Sequence, residues 1–323
     1  MSLIPQAHWL SSVVRLYELL HHDIVFKCVS VHPRKAVYYL CERSSNEPFA
    51  VMHECSALHD DSNALAEVHV RSELSKVSPM TEKPLVSRAG DLLVSCGTYN
   101  YFLVPFVKGR QPRTLSKAES FDLGKSLAGL HDLLATSCAS IPGTAVRAQS
   151  VLSAHLAHYR SWRLTSPCDQ EGLEMLIEVC QFYRDELVIL SNDQTIGPIH
   201  GDFHLNNLVF GGAGRLKNVL DFEFVHTSEH LFDLASIIDS IIDHSPDIAS
   251  ASETIRALVN GYGRLRWVEA RAVVAQRFRR RSTLFYKKIE QTGRLTLSAD
   301  LRSLIATAID VRKQEPMLLA SLA

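Results

Sequence analysis

The sequence carries no surplus of charge, no long apolar run and no cysteine framework. Across 323 residues Lys and Arg number 34 against 35 Asp and Glu, so no bulk field draws nucleic acid or anionic lipid. The seven cysteines, at positions 28, 41, 55, 96, 138, 168 and 180, are odd in number, form no C-x-x-C and do not cluster. That excludes a disulfide scaffold and points to a reducing, cytoplasmic setting. The longest apolar stretches, such as Tyr101 to Val107, fall well short of the ~20 residues a membrane-spanning helix needs. The opening MSLIPQAHWLSSVVRLYELL has no basic leader, and Arg15 and Glu18 interrupt its apolar positions. It reads as an amphipathic helix rather than a signal peptide. Neither a membrane nor a nucleic-acid partner is expected, and there is no internal repeat or low-complexity tract.

What is present is ordinary globular material, 46% hydrophobic and 21% charged, enough for about two domain-equivalents. The first hundred residues are β-rich. Ile24 to Val31, Ala36 to Cys41 and Phe49 to Met52 read as three consecutive antiparallel strands. Ser62 or Asn63 is placed to cap a helix running to about Lys76, with Leu65, Val68 or His69, and Leu74 on its inner side. Leu92 to Cys96 and Tyr101 to Val107 suggest a further hairpin. Past Gly109 the spacing turns helical, with Phe121, Leu123, Leu127, Leu130, Leu133 and Leu134 as one series and Leu173, Leu176, Ile177 and Cys180 as another. From Leu231 onward it is helical again, and the basic stretch RFRRR reads as the charged face of a helix. The plan is α+β: a small β-rich lobe, a linker near residues 105–110, and a larger helical lobe.

The segment with chemistry in it is IHGDFHLNNLVFGGAGRLKNVLDFEF, residues 199–224. Its GGAG turn joins two strand-like runs, Ile199 to Phe210 and Leu216 to Phe224. An antiparallel register centred on that turn sets Asn207 against about position 218 and His204 against about Asp221. Asp202, Asn207 and Asp221 are thereby expected at one end of the hairpin. Phosphoryl transfer needs such a set: an Asp to accept the proton of the attacking hydroxyl, and an Asn and a second Asp to hold Mg²⁺ against phosphate oxygens. The Asn stands five residues after the first Asp, as in protein kinases, and Val219-Leu220-Asp221-Phe222 supplies the second Asp at the end of an apolar run. H-x-D-x-H is also a transition-metal pattern, but that reading leaves Asn207 and the DFE sequence unexplained.

HGDFHLNN followed by VLDFEF resembles the aminoglycoside phosphotransferase/choline kinase-like superfamily, whose members have a bilobal, protein-kinase-like fold. YFLVPFVKG resembles its inter-lobe hinge, LGKSLAGLHDLLA the first large helix after the hinge, and LFDLA the segment after its metal-binding Asp. The resemblance implies residues 1–106 as a nucleotide-covering lobe and 107–323 as a catalytic and substrate-binding lobe. It implies ATP, or GTP, with Mg²⁺, and a small-molecule hydroxyl acceptor such as an aminoglycoside or other antibiotic, or an amino alcohol. Asp202 would be the catalytic base and Asn207 and Asp221 the Mg²⁺ ligands. His200 and His204 would brace the loop, Glu223 would assist in the metal's outer shell, and Asp233 would anchor the loop to the following helix. The Pro105 carbonyl and the Val107 N–H would take the adenine.

The small lobe departs from the pattern. Kinases offer a third-strand Lys to the phosphates, held by a helix Glu. Here FAVMHEC puts Met52 or His53 at that position, with Glu67 as the helix partner, and the turn VHPRK has no glycines. His53, if protonated, would serve, or Lys27, Arg34 or Lys35 from neighbouring strands. The gap also motivates an alternative, a pseudokinase acting as a binding module. The acceptor pocket is expected from the helices after residue 225 and around 150–190. Asp169, Glu171, Glu174, Glu229 and Asp239 there suit a cationic acceptor and equally suit an ordinary helix surface.

Overall fold

A computed structural model describes residues 7–17, 19, 23–31, 35–56, 61–138, 145–162, 167–190, 194–265, 269–292 and 297–322. The chain divides into two compact units. The first comprises Met1–Gln111, Thr136–Ser140 and Leu208–Val225; the second Pro112–Ala135, Ile141–Asn207 and His226–Ala323. The division expected at 106/107 is contiguous in sequence, whereas compactness draws residues 136–140 and 208–225 into the first unit.

The first unit is built on a five-stranded antiparallel sheet of order β1-β2-β3-β5-β4. Its strands are β1 (Ile24–Val31), β2 (Lys35–Glu42), β3 (Pro48–Ser56), β4 (Val94–Cys96) and β5 (Tyr99–Pro105). Strand alternation gives the sheet two different faces. Ala36, Tyr38, Leu40, Ala50 and Met52 pack with Val13, Val14 and Tyr17 at the end of helix α1 (Ala7–Leu16). Val51, Cys55, Phe102 and Val104 pack with Val68 of helix α2 (Asp61–Ser75) on the other. The inner side of α2 departs from its apolar reading. Leu65 is exposed, and Ala64, Glu67, Val68, Arg71 and Leu74 are buried, because a two-point ion pair lets Glu67 and Arg71 enter the interior.

The hairpin of this unit is shorter than its sequence suggests. It consists of β7 (Leu208–Phe210) and β8 (Leu216–Val219), pairing Leu208 with Val219 and Val209 with Asn218. Val209, not Asn207, therefore faces position 218. A 3-10 turn over Gly212–Gly214 and a bulge at Val209/Phe210 shift the register. Residues 200–207 are not strand, so His204 has no place in a ladder opposite Asp221; Ile196–Ile199 (β6) pairs instead with His226–Glu229 (β9). The Val219 N–H donates to the Met80 carbonyl at 2.9 Å, and Arg110 and Phe210 exchange two backbone hydrogen bonds. These tie the hairpin to the turn after α2 and to the segment after β5.

The second unit holds helices α3 (Lys117–Ser137), α4 (Ala148–Ser161), α5 (Pro167–Ile189), α6 (Leu231–Asp243), α7 (Ile248–Tyr262), α8 (Ala270–Thr292) and α9 (Leu297–Leu322). Helix α6 is buried from Leu231 to Ile242, its carboxylates Asp233 and Asp239 included because each is paired inside the unit. Among the described residues no helix is long and apolar enough to cross a membrane.

Candidate active site

In the second unit the loop of residues 200–207 is organised by Asp233 on α6. Gly201 adopts φ +81°, open to glycine without a side-chain clash. The N–H groups of His200 and Gly201 then both donate to Asp233, at 2.7 Å to Oδ2 and 2.9 Å to Oδ1. His131 of α3 adds Nε2 to the same Oδ2 at 3.1 Å, with its Nδ1 3.2 Å from the Tyr262 hydroxyl. Burial pushes the Asp233 carboxyl up, but the hydrogen bond and charge of His131, with His200, outweigh it and hold Asp233 ionised below its usual range. The expected anchoring contact of Asp233 is present.

Asp202 stands at the turn of this loop. Its N–H donates to His200 Nδ1 at 3.3 Å. His204 Nδ1 accepts from the Asn206 N–H at 3.3 Å, which leaves Nε2–H to donate to Asp202 Oδ2 at 3.2 Å. Asn207, at the end of the one-turn 3-10 helix Leu205–Asn207, donates from Nδ2 to the Asp202 carbonyl at 3.0 Å, a bond that does not use its Oδ1 acceptor. Burial raises the Asp202 carboxyl; the His204 hydrogen bond and the charges of His204, His200 and Arg280 outweigh it and set it below the ordinary value. Asp202 is thus an ionised carboxylate with one edge steadied by a histidine. With their ring nitrogens engaged in this way, His200 and His204 brace the loop rather than converge on a metal.

A second cluster lies within the first unit. Lys35, at the start of β2, places Nζ 3.0 Å from Asp221 Oδ1, 2.9 Å from Glu223 Oε2 and 3.4 Å from Glu67 Oε2. Glu67 is almost fully buried and also takes Arg71 Nε and Nη2 at 3.0 and 2.9 Å, while Arg71 reaches Glu82 at 3.1 Å and stands over the Phe222 ring. Burial alone would lower the Lys35 ammonium; the charges of Glu67, Asp221 and Glu223 outweigh it and hold it protonated. Asp221, with burial raising it and Lys35 lowering it more, stays ionised. It sits at φ +58°, a left-handed conformation that costs a non-glycine residue energy and recurs at functional sites.

This cluster corrects the expectation for His53. The His53 ring is buried and stacked on Phe102 at 4.4 Å. Desolvation first, then the charges of Lys35 and Arg71, drive it well below the ordinary histidine range. It is neutral and offers phosphate no charge. Lys35 is the charged cation on that face, because its partner in the ladder is Cys55, two residues from His53, which itself faces Val37. Positions 35, 37, 53 and 55 therefore share the face covered by α2. Lys27 donates to the Asn46 carbonyl on an exposed surface instead. Arg34 lies outside the described residues.

The adenine-side expectations fall at the end of β5. Ala50 faces Pro105, while the Phe106 N–H donates to the Phe49 carbonyl at 2.9 Å. That makes Ala50/Pro105 a non-hydrogen-bonded pair, so the Pro105 carbonyl points away from β3; Val107 lies past the end of the strand.

The donor set also fits a hard cation. Glu67, Asp221 and Glu223 surround one ammonium, and Asp221 Oδ2 has no partner among the described residues. No group of three or more His, Cys, Asp or Glu among those residues is arranged to hold a metal by itself. A cation here would draw the rest of its oxygen shell from phosphate and water, as magnesium does.

The basic stretch of α8 is not the charged outer face expected of it. Arg277 and Arg279 are buried, and Arg277 and Arg281 pair with Asp239 at 2.7 and 2.8 Å while Arg279 pairs with Glu229 at 3.1 Å. Glu229 and Asp239 are neutralised from inside the unit and do not form an acidic acceptor surface. Glu171 and Glu174 are exposed on α5, and the Asp169 side chain is outside the described residues. Four arginines in five positions facing acidic residues on β9 and α6 was the available signal.

Comparison with known proteins places these observations in a class. The phosphotransferase enzyme family matches residues 37–268, most of the chain. The chain belongs to that family, and it is a small-molecule phosphotransferase with an alcohol group as acceptor. Its fold is similar to that of an amicoumacin kinase solved with AMP-PNP, Ca²⁺ and Ami, at 16% identity and TM-score 0.64 over 96% of this chain and 92% of that one. It is similar also to a microcompartment-associated aminopropanol kinase, at 17% identity and TM-score 0.68 over 96% and 98%. A spectinomycin phosphotransferase in complex with ADP and its antibiotic matches at 13% identity and TM-score 0.57 over 95% and 97%. No curated protein matches the sequence.

Proposed function

We propose that the protein transfers the γ-phosphate of ATP to a hydroxyl of a small molecule, of the antibiotic or amino-alcohol kind its family handles. The acceptor oxygen attacks the γ-phosphorus, the bond to the β-phosphate oxygen breaks, ADP leaves, and the hydroxyl proton passes to an Asp202 carboxylate oxygen. Asn207 Oδ1 and Asp221 would be the protein ligands of Mg²⁺, which would supply charge neutralisation to the phosphate oxygens. Lys35, steadied by Glu67, takes the α/β-phosphates. The Pro105 carbonyl and Val107 N–H take the adenine edge, and GTP is the alternative nucleotide. In this reading residues 1–106 cover the nucleotide and residues 107–323 carry the catalytic loop and the acceptor.

The observation that carries the proposal is Lys35 joined to both Glu67 and Asp221. The pseudokinase alternative rests on the missing phosphate lysine and on the missing glycines, and Lys35 in this position speaks against the first of these. The test is calorimetric titration with ATP, with and without Mg²⁺, on the wild type, Asp221→Ala and Asp221→Asn. The wild type should bind with a clear Mg²⁺ requirement, and both variants should lose about tenfold or more of the Mg·ATP affinity, roughly 1.4 kcal/mol. Unchanged Mg·ATP affinity in folded variants would remove Asp221 from the ligand set.

A further inference from the structure

Helix α8 presents Arg277, Arg279, Arg280 and Arg281 in five positions, and three of the four are committed. Arg277 donates to Asp239 and Gln314, Arg279 to Glu229, Ser228 and Gln276, and Arg281 to Asp239 and Asp243. Arg280 differs. Its side chain is 13% exposed, and its carboxylate neighbours are Asp239 Oδ2 at 3.5 Å and Asp202 Oδ1 at 3.9 Å. Neither contact is a hydrogen bond, and none is formed by Arg280 among the described residues. Asp239 already accepts from two other arginines, so it has little left to offer a third.

A guanidinium has five N–H donors, and no nitrogen of Arg280 is a fully buried, unpartnered atom, so a ligand can reach the donors that its two long ion pairs leave over. These donors lie beside Asp202 Oδ1, while Oδ2 is occupied by His204. An acceptor hydroxyl must come within hydrogen-bond reach of the base, so a group a few bonds from that hydroxyl falls against Arg280. Planar bidentate pairing makes carboxylate the natural partner.

We infer that Arg280 is an acceptor-binding residue, and that the small molecule offering its hydroxyl to Asp202 carries a carboxylate or similar acidic group a few bonds away, whatever amine it also bears. This rests on Asp202 as the base. A purely cationic acceptor would meet a like charge there.

The test uses two matched acceptor pairs, glycerate with glycerol and serine with ethanolamine, with transfer from Mg·ATP followed in the wild type, Arg280→Gln, Arg280→Lys and Asp202→Asn. Wild type should favour the acidic member of at least one pair about tenfold or more in kcat/KM. Arg280→Gln should bring that ratio near one, chiefly through KM, and Arg280→Lys should restore part of it; thermal melts establish that each variant is folded. An acidic member that is not favoured, a ratio unmoved in Arg280→Gln, or transfer to no member above hydrolysis of ATP by water overturns the inference. Asp202→Asn separates the two levels. If it still transfers, the base assignment has failed; if it does not and the ratio stays put in Arg280→Gln, only the role of Arg280 has.

Discussion

A lysine serves phosphate only where its ammonium stays protonated and its stem can reach. Lys35 meets the first condition through three carboxylates and the second through its place at the head of β2. Lys35→Met should weaken Mg·ATP binding about 10- to 100-fold, the size of one charge-assisted hydrogen bond lost from a partly buried site. Because positions 35 and 53 share a sheet face, adding His53→Lys to that variant should recover part of the loss in the same calorimetric titration. Wild-type affinity in Lys35→Met would contradict the assignment. The sequence named Lys35 only among several cations. Spacing along the chain proposes Asp202, Asn207 and Asp221 because they belong to one local pattern, whereas the lysine is proposed from cross-strand register, which a single strand does not reveal.

At the scale of elements, the strands and α2 were legible because β-branched alternation and helical spacing are strong local signals. The hairpin was overextended, since apolar residues 199–210 look like one strand while the backbone of 200–207 is bent around Asp233. The faces of α2 and α8 were misread for a common reason: charge was equated with exposure, and Glu67–Arg71 and the α8 arginines are charges buried in pairs. Helices α3 and α7 show the reverse, a contact with almost no side chain. A Cβ on Gly124 would stand 2.0 Å from the Leu258 carbonyl oxygen and 2.6 Å from the Tyr262 nitrogen, and one on Gly261 would stand 2.0 Å from the Phe121 carbonyl oxygen. Backbone cannot yield as a flexible side chain can, so Gly124→Ala should cost about 3 kcal/mol or more in chemical denaturation. A loss under about 0.5 kcal/mol, the range of a surface substitution, would show that the helices separate freely.

For the whole molecule, the family and the two-unit architecture were readable because the motifs occur in order along the chain, each weak alone and informative together. The depressed carboxyls of Asp202, Asp233 and Asp239 add a property of the second unit as a body. Their folded values lie below their unfolded ones, so the stability they contribute is complete above about pH 4 and is lost as pH falls through the lower folded values. Asp202 accordingly remains a base at neutral pH and on into mild acid. The most direct test of the central claim is turnover by Asp202→Asn with Mg·ATP and a hydroxyl acceptor that the wild type phosphorylates. The account predicts kcat down roughly 100-fold or more with Mg·ATP affinity and melting temperature retained; a variant keeping near wild-type kcat would contradict it.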